Sequence, residues 1–599
     1  MPPAVCRSPR AAVAAAALAL GLAVGLASCS AGFKTRRGGA SGPYVVSGDV
    51  GGAGAGVATL GRPGARPGVR ADTDGSAPAA GPPWTPSVAP ADAYEERNEP
   101  STPGSPLAAA AFAALRDYYA RTGRTAPLYD HRLEEAANEY ARVFPEEGAP
   151  ARDLADFVLR HVGIAEPFPH IAVYSVPDLD AAPFAAGFAE DLPGFIGDRR
   201  NLRFAVGTAP SPGGGFRVIV AFLPGAVLLD EVPRAVKSSP KAAVSLRGRL
   251  LDSTFSAPHV VVTRPDGSVD TLRDVALPGD ARAFAARVPL ADGPGRYEIE
   301  VVAEGTLGPA VVALLPVWAG VAPPASIALR PGSGDGPLEP ADAAERTLLG
   351  LVNDARRTAG LPPVAWSDAA AAVARAHSAD MADHAFLGHT SPTSGTPEDR
   401  AAAAHLRHSV VEENVAKAYT PADAHDGLMA SPGHRAVVLS RGATHVGIGV
   451  ELRARAGEPP AYYVTELFLR DAPPVTPAAG AAGLATLVND ARRKAGLAPL
   501  KLDARLSALA AKGCEEHMER GRTPAETSAA VGAGFGATSA DYRAIATILS
   551  VVPYLETILG SPEILDKGFV AFGTGAYEGK HPVEGSGVCI MVLLASPRK

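Results

Sequence analysis

The sequence predicts an α+β chain built from several modules, one of them all-β, and three observations carry that expectation. The phrase "LVNDARRTAGLPPV" from Leu351 to Val364 returns as "LVNDARRKAGLAPL" from Leu487 to Leu500, and duplicated modules are the simplest cause. A stretch nearer the N-terminus opens with apolar residues at helical spacing and closes with strand-like runs around a Gly-rich turn, an α+β pattern. Between that stretch and the first phrase lie several strand-length runs broken by turn signals. At 599 residues the chain is too long for one core. Its 47% hydrophobic and 20% charged residues are ordinary for globular material. The net charge is -7, and no run of Lys and Arg is interleaved with aromatics, so nucleic acid is not an expected partner.

At the N-terminus, Arg7 and Arg10 precede an apolar run from Ala11 to Leu26. That run is short for a bilayer span but suits the core of a signal peptide. It ends in Leu26, Ala27, Ser28 and Cys29, which resembles the bacterial lipobox. The resemblance implies a lipoprotein signal peptide over 1–29, with Cys29 as the acylated (palmitate-bearing) N-terminus of a secreted protein; an ordinary signal peptide with an incidental cysteine is the alternative. Acyl chains hold a protein to a membrane without a transmembrane helix. Ser30 follows where inner-membrane retention favours Asp, which points to the outer membrane, on its periplasmic face or at the cell surface. With Cys6 removed and Cys29 lipidated, Cys514 and Cys589 remain, and an even pair in an oxidising compartment suggests a disulfide; two buried free thiols are the other reading.

From 30 to 106 the chain is rich in Gly, Pro, Ala and Ser, as in "GGAGAG" and "AGPPWTP", and reads as a disordered tether reaching on the order of 50 Å. Residues 107–236 follow. "LAAAAFAALRDYYARTG" and "HRLEEAANEYARVF" carry helical periodicity, and "RFAVGTAP" and "FRVIVAFLP" read as a hairpin. This segment resembles a worn third copy of the repeat, since "LRDYYARTGRTAPL" keeps Asp117 and Gly123 at the offsets of Asp354 and Gly360. Residues 240–322 supply "AAVSLRGRLL", "HVVVTRPDGSVDTL", "AFAARVPL" and "GRYEIEVVAEG", with a tight turn at Asp266 and Gly267, a pattern that resembles immunoglobulin-like β-sandwich spacers. A Pro/Gly linker at 323–340 leads to the two phrase-bearing segments, 341–472 and 474–599.

Chemistry concentrates in 341–472. His377, His384, His389, His405, His408, His425, His434 and His445 fall in this one stretch, and Pro and Gly beside His389 ("GHTSPTSGTPEDR") and His434 ("SPGHRAVVL") place them at turns. The ordered series "NDARRTAGLPPVAW", "AHSADM", "HTSP", "ENVA", "MASPGHR" and "VGIGV" resembles a bacterial CAP domain, of the superfamily of cysteine-rich secretory, antigen 5 and pathogenesis-related 1 proteins, also called SCP domains. The resemblance implies an α-β-α sandwich, intact here and degenerate in the two flanking segments. It also implies a cleft with two histidines, His389 and His434, and a glutamate, Glu413, in which the histidines bind zinc or another divalent cation. The plainer reading is that the histidines cap turns. The sequence departs from the family at Glu412, where a glycine often stands, and at Leu428, where an aromatic does. The second cleft glutamate of eukaryotic members has no clear equivalent, Ser431 lying nearest by motif and Asp426 close by. His377, Asp380, Met381 and His384 share a helix face, either a second metal site or, more simply, a packed face.

The last segment keeps the phrase but lacks all three cleft motifs, and "SPEIL" puts Ile564 where the histidine of "SPGHR" would stand. "GAGFGA" from Gly532 fits a dinucleotide-binding pattern, but no clear strand precedes it. The leading expectation is a membrane-anchored envelope-binding module recognising an envelope, lipid or protein ligand and leaning away from enzyme activity. The alternative is a metal-assisted, peptidase-like hydrolase with His389 and His434 on zinc and Glu413 as general base.

Overall fold

The computed structural model describes residues 26–28 and 82–598 apart from short stretches, the longer of which are 145–151, 197–201, 276–281, 330–336, 455–459 and 472–476. The signal-peptide core up to 25, Cys29, and the tether up to 81 lie outside the described residues. Leu26–Ser28 forms a short strand that pairs in parallel with Asn414–Ala416 and, through Ala27, with Ala310. The chain is a mixed α/β protein.

The next strand to enter a sheet of more than two strands, β1 (Ala93–Glu96), falls inside the stretch expected to be a disordered tether. Trp84, Val88 and Tyr94 explain the difference: Tyr94 is wholly buried and the other two pack on the neighbouring core, so a few apolar anchors order a segment whose average composition is poor in them. The linker is likewise partly structured, since Ile327–Ala328 pairs antiparallel with Pro83–Trp84.

Next come α1 (Pro106–Arg121), β2 (Leu128–Tyr129), α2 (His131–Val143), α3 (Arg152–His161), β3 (His170–Val176), α4 (Ala181–Ile196), β4 (Arg203–Pro210) and β5 (Phe216–Leu223). The four strands form one sheet in the order β2-β4-β5-β3. The expected boundary at 236 is too late, because β6 (Val227–Pro233) already pairs with β1 and with the segment 248–250 in another sheet. That neighbouring unit comprises β1, β6, β7 (Ala243–Leu250), β8 (Ser256–Thr263), β9 (Val269–Thr271), β10 (Ala283–Pro289), β11 (Gly295–Gly305) and β12 (Gly308–Ala319). Its sheets, ordered β10-β7-β6-β1 and β9-β8-β11-β12, enclose one core in which Leu246, Phe284 and Val288 meet Val260, Ile299, Val301 and Val317. Two of its strands come from outside the window read as β, because alternation identifies strand-like runs but not their partners.

The middle module comprises α5 (Ala341–Thr358), β13 (Ala365–Trp366), α6 (Asp368–His384), α7 (Pro397–Ala403), β14 (His408–Ala418), α8 (Pro421–Ala430), α9 (Pro432–Val438), β15 (His445–Arg453) and β16 (Ala461–Asp471). The last contains α10 (Pro477–Lys494), β17 (Lys501–Leu502), α11 (Ala504–Arg520), α12 (Pro524–Thr538), β18 (Tyr542–Val552), β19 (Ala571–His581) and β20 (Gly585–Pro597). "GAGFGA" lies inside α12 rather than at a strand-to-helix turn. The strands run β13-β15-β16-β14 and β17-β19-β20-β18, the same path as in the first module. In all three, the two-residue strand is parallel to its neighbour and the remaining pairs are antiparallel.

One contact explains the glycines of "VGIGV". A Cβ on Gly449 would sit 2.0 Å from the backbone nitrogen of Arg375 on α6, and on Gly575 of the last module 2.3 Å from that of Ala511 on α11. Helix and strand meet backbone to backbone there, which only glycine allows. Cys514 on α11 and Cys589 on β20 form a disulfide with Cα atoms 5.4 Å apart, inside the range that a disulfide spans.

The repeated phrase has a mechanical role. Asn353 accepts from the backbone N–H of Val364 at 2.8 Å and donates to its carbonyl at 3.2 Å; Asn489 does the same with Leu500 at 2.8 and 3.1 Å. Gly360 and Gly496 take φ near +70° and let the helix turn out. Arg356, 2% exposed, donates to the carbonyls of Pro362, Val438 and Ser440 at 2.8 to 2.9 Å; Arg492 donates to those of Ala498, Ile564 and Asp566 at 2.7 to 2.9 Å. Each guanidinium fork therefore ties the first helix of its module to the chain just before the third strand.

Replacing Arg356 by Met leaves these buried carbonyls without a donor, an expected loss of about 3 kcal/mol in local stability. Hydrogen exchange at Val437 and Val438 should accelerate accordingly, and Lys, a point charge without the fork, should not restore it. Unchanged exchange in Arg356→Met would show that the clamp carries no stability.

Candidate functional site

Glu413 is the centre of the predicted site. β14 runs through the sheet, and alternation along it sends Glu413 to the α6 side and Asn414 to the side of α9. The Glu413 carboxylate accepts from His389 Nδ1 at 3.0 Å through one oxygen and from the Arg400 guanidinium at 2.6 Å through the other. His377 Nε2 lies 3.9 Å away and is itself engaged with the carbonyl of Gly388 at 3.0 Å. Burial alone would push the Glu413 carboxyl up; the hydrogen bond from His389, with His377 and Arg400 beside it, outweighs burial and holds it at about 2. Burial lowers the pKa of His377 and favours its neutral form.

Arg400 was not singled out by sequence reasoning, although it stands in the quoted run "GTPEDR". It starts from α7, whose N-terminus is fixed by a reciprocal cap between Thr396 and Asp399, and it also donates to the carbonyls of His389 and Gly395 at 2.9 and 2.6 Å. Asp380 holds the same loop through Ser391 and Thr393. The face carrying His377, Asp380, Met381 and His384 is thus a packing face: His377 and Met381 are buried, while Asp380 bonds the loop and the largely exposed His384.

A carboxylate partner makes His389 donate through Nδ1, which leaves Nε2 as an acceptor. That Nε2 is buried and has no hydrogen-bond partner among the described residues. His434, on the first turn of α9, is fixed in a parallel way. Its Nδ1 meets Ser431 Oγ at 2.6 Å, and Ser431 in turn donates to Glu300 Oε1 at 2.7 Å, so Nδ1 of the histidine must be the donor. The other Glu300 oxygen accepts from the Gly433 N–H at 2.9 Å. Glu300 comes from β11 of the β-sandwich, and no local motif could have revealed it. Asn414 joins the same side, donating to the His434 carbonyl at 3.2 Å and to Glu466 at 3.1 Å; burial pushes the Glu466 carboxyl up to about 7.

His389 and His434 therefore sit in two hydrogen-bond networks that meet at the adjacent residues Glu413 and Asn414. Two imidazoles, each anchored through Nδ1, are suited to present Nε2 to a divalent cation. Among the described residues no group of three or more His, Cys, Asp or Glu is arranged to hold a metal ion.

In the last module the clamp of Arg492 shows what replaced the histidine turn. By the carbonyls they present, Ile564 corresponds to Val438 and Asp566 to Ser440, so Ile564 does not stand in the place of His434. The four-residue 3-10 helix Pro562–Leu565 replaces the seven-residue α9, and the turn that carries a histidine is missing. His517 and His581 of this module stack on each other at 4.7 Å; His517 contacts Thr527, and His581 the carbonyl of Arg522.

Because the folded-state value of Glu413 lies below the ordinary 4.5, its contribution to stability is complete above about pH 4.5 and declines as pH falls toward 2. The difference corresponds to roughly 3 kcal/mol at neutral pH. Exchange protection of β14 amides in the native chain should fall over that window, and Glu413→Gln should flatten the fall. Equal pH profiles for the two proteins would contradict the buried ion pair.

Residues 349–468 match the CAP model, described as the cysteine-rich secretory protein family. Over 108 residues the chain is 35% identical to an uncharacterised protein, YkwD, of Bacillus subtilis (strain 168), covering 18% of this chain and 42% of that protein. Over 109 residues it is 34% identical to the uncharacterised membrane protein YlbC of the same organism, covering 18% of this chain and 32% of that protein. The chain thus spans less than half the length of these relatives. Among solved structures, an extracellular SCP-domain protein from Bacillus anthracis str. Ames aligns at 19% identity and a TM-score of 0.20, covering 40% of this chain and 85% of that one. An outer surface protein of Borrelia burgdorferi aligns at 16% identity and a TM-score of 0.19, covering 21% and 93%.

Proposed function

From a chain whose residues 349–468 belong to the CAP family, we propose a cell-envelope binding protein that uses the cleft of its middle module as the recognition site. His389 and His434 hold a divalent cation there, zinc being the best match to imidazole donors, and the cation's remaining positions are open to an envelope, lipid or protein ligand. The observation that carries this reading is the His389 ring, anchored by Glu413 through Nδ1 with Nε2 buried and unpartnered. A metal bound there would supply a Lewis-acidic contact for a ligand oxygen, and Glu413 and Ser431 would orient the two rings.

The hydrolase alternative needs Glu413 as a general base. Both of its oxygens are occupied by His389 and Arg400, and a carboxyl held at about 2 is a weak proton acceptor near neutrality. Binding is therefore favoured over hydrolysis. The first and last modules, which follow the same strand order without the paired histidines, are read as degenerate CAP domains, and the two-sheet unit as an immunoglobulin-like spacer. Attachment is assigned to acylation at Cys29, which supports an outer-membrane location without a spanning segment. Among the described residues no helix is long and apolar enough to cross a membrane. Cleavage before Cys29 would also remove the short strand Leu26–Ser28.

Titration calorimetry of the full chain with zinc should detect about one site, matching the single pair of anchored imidazoles. The His389→Ala, His434→Ala double variant should lose it; undiminished binding would place any metal elsewhere. Separately, Cys29→Ala should move the protein from the membrane fraction to the soluble one, and retention in the membrane would rule out the lipid anchor.

A further inference from the structure

Both cleft imidazoles are buried, His389 at 2% and His434 at 0% exposure, so a ligand cannot reach them in the arrangement described. What lies over them is the sandwich, with the strand Leu26–Ser28 paired between Ala310 of the sandwich and Asn414–Ala416 of the middle module until cleavage before Cys29 removes it. The hairpin joining β11 and β12 sets Leu307 against the middle module: its carbonyl accepts from the Thr390 N–H at 2.9 Å, next to His389, and its side chain packs on the apolar cluster of Met381, Phe386, Leu387 and Tyr463. Gly308 of the hairpin lies so close that a Cβ there would be 3.1 Å from that of His389. On the side of His434, both oxygens of the buried Glu300 are bonded to Ser431 and Gly433. Beyond it, the Arg435 guanidinium donates to the carbonyl of Gly267 in the β8–β9 turn at 2.9 Å.

We propose that the β-sandwich is the intramolecular cover of the cleft, plugged by Leu307 and latched by Glu300, so that ligand access requires the two units to part. Three contacts on separate turns and strands flank the two histidines, while each unit also has a core of its own. The sandwich core closes between its own sheets, and the middle module closes around Leu348, Val352, Ile448, Val464 and Phe468. A passive spacer would have no need of a fully buried carboxylate reaching into its neighbour. Leu307 contributes an apolar seal and Glu300 a charge-assisted one; the second is the element that a competing polar ligand or a change of ionic conditions would release. Regulation of binding by this cover rests on the reading of the cleft given above, whereas occlusion of the two rings is read without any ligand.

The test is acylation of histidine rings by diethyl pyrocarbonate in the full chain, followed by peptide mass spectrometry. In the native protein His389 and His434 should react at least about tenfold more slowly than His131, whose side chain is 66% exposed. Glu300→Ala combined with Leu307→Gly should speed their reaction by about tenfold or more, while His425, buried within α8, stays protected. Native rates equal to that of His131, or rates unchanged in the variant, would overturn the cover. Should His425 also become reactive, the near-isosteric Glu300→Gln, which removes only the charge, gives the decision: faster labelling of His434 with His425 protected supports the latch, and wild-type rates overturn it. Failure of zinc binding in the experiments above, with this labelling pattern intact, would remove the metal reading and leave the cover standing.

Discussion

The middle and last modules each depend on a guanidinium placed where water cannot reach it. Arg356 leaves its helix, turns inward and collects carbonyl oxygens from the loop after α5 and from the C-terminal end of α9. Burial lowers its pKa, yet arginine starts so high that the charge persists at any physiological pH. An α-helix end presents carbonyls with no partner of their own, and a cation among them satisfies both the hydrogen bonds and the local dipole. The position of α9, and hence of His434, is therefore set by a residue that never approaches the cleft. Arg492 performs the same task on the shorter 3-10 helix of the last module, which is why the phrase survives where the histidines do not.

Local features of the chain were legible in the sequence, and long-range partners were not. α2 follows the run predicted for it, because its 3.6-residue pattern and the Asp130 cap are local properties. His389, Glu413 and His434 could be named because each sits in a short run that resembles a CAP motif, "HTSP", "ENVA" and "SPGHR". Arg400 and Glu300 could not be weighted in the same way. A lone Arg in a helix that packs on a strand reads like any solvated charge until its partner is known. Glu300 lies in an alternating strand whose even positions looked like an ordinary polar face. The order imposed on 82–96 was missed for a related reason: Tyr94 packs into a core made almost wholly of residues more than a hundred positions later, and composition windows carry no information about that distance.

The hydrogen bonds around the two buried histidines show how each ring is held through Nδ1. Glu413 carries its charge in a place that disfavours charge, and it does so because Arg400 and the His389 N–H point at it. In return it fixes which ring nitrogen of His389 bears the proton. Glu300 does this for His434 through Ser431, one hydroxyl further away. One carboxylate belongs to the module and the other is lent by the sandwich, so separating the two units would free the His434 ring to change tautomer while leaving His389 held.

The absence of the "SPGHR" turn from the last module also looks different in three dimensions. Had Ile564 simply replaced a histidine, a single substitution would separate this module from its neighbour. The carbonyls captured by Arg492 show instead that the helix itself has shortened, from seven residues to four, while its C-terminal end stayed where the clamp holds it. The disulfide between Cys514 and Cys589 binds α11 to β20 in that module, a covalent tie between helix and sheet. Between the middle module and the two-sheet unit, by contrast, the hydrogen bonds of Glu300 to Ser431 and Gly433 make a non-covalent join.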